Sequence, residues 1–141
     1  PIKDNAERDA AMLDVDKLRA DHAKWRGEME KQVKALNKKA GRDAVFIVPA
    51  GDAVVKLREL VAEGKAPGIT KQSELFSDPI GHGKLPVVIL VSYCNFACIT
   101  GRSPVGLDVK EPAIDADLHK LLQRIAWDTV SAYPMSGVKA K

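Results

Sequence analysis

The run Ala44-Val45-Phe46-Ile47-Val48-Pro49 constrains the fold more than any other stretch of the chain. It is β-branched and aromatic, apolar on both faces, and flanked by segments with helical periodicity. A strand of that kind belongs in a parallel sheet covered on both sides by helices. One strand cannot make a sheet. The sequence therefore predicts an α/β chain whose other strands escape pattern reading or lie in a segment outside these 141 residues.

Helical signals account for most of the rest. Between Asp14 and Ala40, residues Val15, Leu18, His22, Trp25, Met29, Val33 and Leu36 recur at steps of three and four. They trace one stripe of a long amphipathic helix that Gly41 is placed to end. A second helix opens at Gly51-Asp52 with Asp52 as N-cap and runs to about Ala62, turning Val54, Val55, Leu57, Leu60 and Val61 inward. Gly64 and Pro67-Gly68 close it. Pro86 suits the first turn of a third helix that ends at Gly101. Its apolar run, Leu85 to Ile99, is too short for a membrane span and reads as a buried helix. A fourth helix follows Pro112, with Asp115 and Asp117 at its positive end and Ile114, Leu118, Leu121, Leu122, Ile125 and Val130 facing inward. This is one domain over 1–141, with 1–12 and 134–141 expected to fray.

Composition removes several classes of function. Lys and Arg are interleaved with Asp and Glu, the net charge is only +3, and three Phe, two Trp and two Tyr make no stacking platform. Nucleic acid is not an expected partner. No basic stretch followed by an apolar one opens the chain, which starts at Pro1. A leader upstream would direct the protein to the periplasm or outside the cell; without one it stays cytoplasmic. Cys94 and Cys98 fall one helical turn apart and read as small core residues, with burial raising their thiol pKa. No phosphate-binding glycine loop or cofactor motif is present, and Asp78 with His82 makes no metal site on spacing alone.

Chemistry concentrates in the long connection between the second and third helices. Leu75-Phe76-Ser77-Asp78-Pro79-Ile80-Gly81-His82-Gly83 sets an acid four residues before a histidine that has glycine on both sides. A carboxylate at that distance can fix the ring's tautomer and stabilise the imidazolium formed when the ring takes a proton. His22 sits on an apolar stripe and reads as a satisfied core histidine, whereas His119, between Leu118 and Lys120, reads as solvent-facing. A nucleophile is harder to place among Ser73, Ser77, Ser92, Ser103, Ser131 and Ser136. Gly101-Arg102-Ser103-Pro104-Val105-Gly106 has one residue too many for a G-x-S-x-G elbow and follows a helix, not a strand.

Four blocks together resemble a known family: Val48-Pro49-Ala50-Gly51-Asp52, Leu75 to His82, Ser92 to Ala97, and Arg102 to Leu107. Over Leu13 to Leu107 the chain is similar to the C-terminal half of SGNH (GDSL-like) hydrolases, in particular an uncharacterised bacterial branch. The resemblance implies a three-layer α/β/α fold and a Ser-His-Asp ester hydrolase. His82 would be the general base and Asp78 its orienting acid, and the substrate a small ester such as an acetylated carbohydrate. The family spaces the pair as D-x-x-H, and this chain has one more residue between them. The family's nucleophilic serine and its glycine and asparagine oxyanion donors precede the matched region. The resemblance thus implies that a missing N-terminal half completes the site and that the isolated chain is inactive. The rival expectation is a noncatalytic helical interaction module presenting the first and last helices to a partner. A third is a complete enzyme that uses Ser103.

Overall fold

The computed structural model describes residues 4, 7, 14–78, 81–108 and 114–138. Among them it is all-helical: α1 (Val15–Ala40), α2 (Ala50–Ala62), α3 (Leu85–Thr100) and α4 (Ala116–Ala132), with a short 3-10 turn at Gln72–Glu74 between α2 and α3. No strand or sheet forms among the described residues. The only β pairing there is an isolated antiparallel bridge between Phe76 and Gly83. The α/β expectation, and with it the three-layer α/β/α architecture, is overturned.

The physical reason lies in Ala44–Pro49 itself. Residues 43–49 run without helix, turn or bend, but no strand pairs with them among the described residues. Their inward hydrogen bonds go elsewhere. The Asn37 side chain accepts from the N–H groups of Ala44 (3.0 Å) and Val45 (2.8 Å) and donates to the Val45 carbonyl (2.9 Å). The Ile47 N–H donates to the carbonyl of Met135 (2.9 Å). Ile47 is buried, while Val45 and Phe46 are exposed.

The helix ends follow local chemistry. Asp14 caps α1 by accepting from the Lys17 N–H (3.0 Å), and Gly41 closes it at φ 67°. Asp115 caps α4 through the N–H groups of Asp117 and Leu118. Asp52 is not the N-cap of α2. That helix begins a turn earlier, after Pro49, which leaves Asp52 in the first turn and free to reach α1.

α2 is the centre of the molecule, touching α1, α3 and α4, and the α3–α4 contact is the most extensive. Leu57, Leu90, Leu122, Cys94 and Ala97 are fully buried between these three helices. Truncating any of those leucines to alanine costs about 2–5 kcal/mol. Among the described residues α1 packs on α2 alone of the helices, and only Val33 of its apolar stripe is buried; Trp25 and Leu36 are exposed. α3 is also not the fully buried helix its composition suggests. Leu85, Val88 and Ile99 lie exposed on one face, Ile99 at 81%. Beyond α4, where the sequence suggests fraying, Ser136 and Val138 are buried. No helix among the described residues is long and apolar enough to cross a membrane.

Candidate functional site

The loop bearing Asp78 and His82 is pinned before it turns. Leu75 and Phe76 are buried in the core. Gln72 donates from its side-chain amide to the carbonyl of Arg58 in α2 (2.8 Å). Glu74 accepts from the N–H groups of Thr70 (2.7 Å) and Lys71 (2.8 Å), and these backbone bonds hold its carboxyl below the usual range. The chain then folds back on itself. Ser77 N–H donates to the His82 carbonyl (2.8 Å) and Lys84 N–H to the Leu75 carbonyl (2.8 Å), on either side of the Phe76–Gly83 bridge. Gly81 at the bend has φ +96°, open to glycine and strained for other residues.

Within this hairpin Asp78 uses both carboxylate oxygens. Oδ1 accepts from the backbone N–H groups of Gly81 (3.0 Å) and His82 (3.2 Å), while Oδ2 is hydrogen-bonded to the His82 ring at Nδ1. The bond to the His82 side chain, followed by the backbone bonds of His82 and Gly81, holds the Asp78 carboxyl below its ordinary value. With Nδ1 engaged, Nε2 is the nitrogen left to exchange a proton, and the ring stands 71% exposed. The structure thus joins the two residues that the sequence singles out.

It does not bring them a nucleophile. Among the described residues no hydroxyl or thiol is hydrogen-bonded to the His82 ring. Ser77 is nearest in sequence, but its hydroxyl donates to the His82 backbone carbonyl (3.2 Å). Ser92 bonds back to Val88, Ser103 accepts from the Val105 N–H, and buried Ser136 accepts from the Val138 N–H. Cys94 lies in the core, where burial pushes its thiol up to about 12, and Cys98 is raised by the same cause. Neither is a thiolate near neutral pH. No group of three or more His, Cys, Asp or Glu capable of holding a metal occurs among the described residues.

Two polar clusters were not legible beforehand. His22, read as a satisfied core histidine, is only partly buried: its Nε2 lies 3.3 Å from Asp52 of α2, and Arg26 also pairs with Asp52. Arg26 further approaches Glu30 (3.4 Å), which accepts from the Tyr133 hydroxyl (2.8 Å). His22, Arg26 and Asp52 border a cleft of about 360 Å³ that Arg19, Lys56 and Glu59 also line. The second cluster corrects His119, which is buried rather than solvent-facing. Its Nε2 lies 2.8 Å from the Tyr93 hydroxyl, to which Gln123 donates (3.3 Å). Gln123 also holds the Arg102–Leu107 block, donating to the Leu107 carbonyl (2.9 Å) and accepting from the Gly106 N–H (3.2 Å). Ser103 is therefore part of a structural loop. A further cleft of about 410 Å³, with Leu60, Leu121 and Ile125 among its lining residues, separates α2 from α4. Asp78 and His82 line neither cleft.

Comparison with protein-family models, with curated proteins and with solved structures finds no match to this chain.

Proposed function

We propose that this chain supplies the base and orienting acid of an SGNH-type serine ester hydrolase, with nucleophile and oxyanion donors on polypeptide outside these 141 residues. The observation that carries the reading is the Asp78–His82 dyad. One carboxylate oxygen is spent on the backbone, the other fixes Nδ1, and the ring is mostly exposed. In that role Nε2 takes the serine proton as the hydroxyl attacks the ester carbonyl, then returns it to the leaving alcohol. Asp78 stabilises the imidazolium between those events. The substrate would be a small ester, such as an acetylated carbohydrate.

Labelling with a serine-reactive fluorophosphonate, read by intact mass, tests this on the 141-residue chain and on the full-length product of its gene. The expected result is an adduct on the full-length product, absent from the short chain and abolished by His82→Ala. An unlabelled full-length product, or labelling indifferent to His82→Ala, refutes the dyad's role.

A second reading, a noncatalytic helical interaction module, is favoured by the exposed apolar side chains of α1 and α3, notably Trp25, Leu36, Val88 and Ile99. It predicts no adduct on either form and no effect of His82→Ala on partner capture.

A further inference from the structure

The strand-like segment at 44–48 has two unlike edges. In an extended chain the N–H and C=O of one residue point to the same side, and successive residues alternate. On one edge Val45 is bonded through both groups to Asn37, and the Ile47 N–H to Met135. On the other edge the carbonyl of Ala44, both backbone groups of Phe46 and the N–H of Val48 have no partner among the described residues. Two more groups are taken within the chain, and the Ala44 N–H departs from the alternation by turning to the same Asn37 oxygen as the Val45 N–H. The Ala44 N–H donates to Asn37 (3.0 Å), and the Val48 carbonyl accepts from the Ala50 N–H (2.8 Å).

That pattern is its own complement. Consider two antiparallel copies related by a two-fold axis at Phe46. The N–H of Phe46 donates to the carbonyl of the partner's Phe46, and the N–H of Val48 to the carbonyl of the partner's Ala44; symmetry repeats both. All four open groups on each copy are satisfied. The next bond such a ladder would form joins the Ala44 N–H to the partner's Val48 carbonyl, and those are the two groups already used internally. We propose that the outward edge of residues 44–48 is a self-pairing interface, and that a second copy of this chain is the partner it fits.

Side chains agree with this. Phe46 is 53% exposed and Val45 36%, so pairing covers two apolar residues that otherwise face water. Closure also follows. The opposite edge is occupied by Asn37 and Met135, so each copy offers one free edge and the product is a dimer, not a fibre.

Sedimentation equilibrium on the 141-residue chain, paired with amide hydrogen exchange at low and high concentration, tests the proposal. The expected result is a concentration-dependent dimer in which the Phe46 and Val48 amides become protected, while the Val45 and Ile47 amides are protected throughout. Val48→Pro removes an outward N–H that has no internal partner, and so two of the four intermolecular bonds. It should raise the dissociation constant roughly tenfold or more. Phe46→Asp, which sets like charges across the axis, should leave a monomer with unchanged helix content. A chain that stays monomeric overturns the proposal and leaves the edge to a strand of another protein. A dimer whose Phe46 and Val48 amides exchange freely, or which survives both substitutions, overturns it equally.

Discussion

Replacing Gly51 by alanine gives the sharpest test of how α1 is held. Gly51 is the second residue of α2, where alanine ordinarily gains up to about 1 kcal/mol of helix stability over glycine. Here a β-carbon would fall 2.4 Å from Cε1 of His22, 3.1 Å from its Nε2 and 3.2 Å from its Nδ1. Carbon atoms rest at about 3.5–4.0 Å, so the imidazole must swing aside by about 1 Å or more. That motion disturbs the 3.3 Å approach of Nε2 to Asp52, on the only helix–helix contact α1 makes among the described residues. Overpacking of this kind costs about 1–3 kcal/mol, which outweighs the propensity gain. Gly51→Ala should therefore destabilise the chain by about 1 kcal/mol. In a His22→Ala background the same substitution should be neutral or stabilising, a coupling of about 1–3 kcal/mol. Urea unfolding of the four proteins at constant m-value measures this. A Gly51→Ala gain of equal size in both backgrounds would show that the ring does not rest on Gly51 and would refute the packing argument.

Three further outcomes follow from the site and its surroundings. Asp78→Asn puts an amide donor opposite Nδ1, so ¹⁵N shifts of the His82 ring should show the proton moving from Nδ1 to Nε2; in an active full-length enzyme kcat should fall about 10²–10⁴-fold. An unchanged tautomer would mean that Asp78 does not orient the ring. Cys94 prefers the protonated thiol when folded, with its pKa raised from 9.0 to about 12 by burial and, secondarily, by Cys98. Its contribution is complete below pH 9 and is lost as pH rises toward 12, so alkaline urea titrations should show stability falling across that window, and Cys94→Ala should flatten the fall. Tyr93→Phe removes a hydroxyl shared by His119 and Gln123 in the core and should cost about 1–3 kcal/mol in thermal or urea unfolding; a loss under 0.5 kcal/mol would argue against a buried network there.

What the sequence discloses divides along the distance over which each signal acts. Asp14, Gly41, Gly101 and Asp115 bound their helices through bonds within a turn of themselves, and each was legible. Asp78 and His82 are four residues apart in a tight loop, so their meeting was legible too. His119 and Tyr93 are 26 residues apart, and nothing in the neighbourhood of either announces the other. Asp52 reads as a cap because an aspartate stands just ahead of the apolar run Val54, Val55 and Leu57. Pro49 starts the helix sooner, and the carboxylate answers to His22 and Arg26 on another element. The strand reading of Ala44–Pro49 is overturned because a sheet is a property of neighbours: residues 43–49 carry no helix, turn or bend, but no strand pairs with them among the described residues.

The same division explains why a dyad can form from local sequence alone. An acid that orients a histidine needs only a hairpin, and this one is secured by Leu75 and Phe76 in the core and by backbone bonds from Ser77 and Lys84. A general base contributes about 10²–10⁴ to a rate. Acyl transfer draws much more from holding nucleophile and ester in register and from donors aimed at the developing oxyanion. Those terms depend on a concave, water-excluding site built by several elements. Here His82 is mostly exposed, and the α1–α2 and α2–α4 clefts are lined by other residues. Catalysis by His82 therefore requires a surface that closes over the hairpin and delivers a hydroxyl to Nε2.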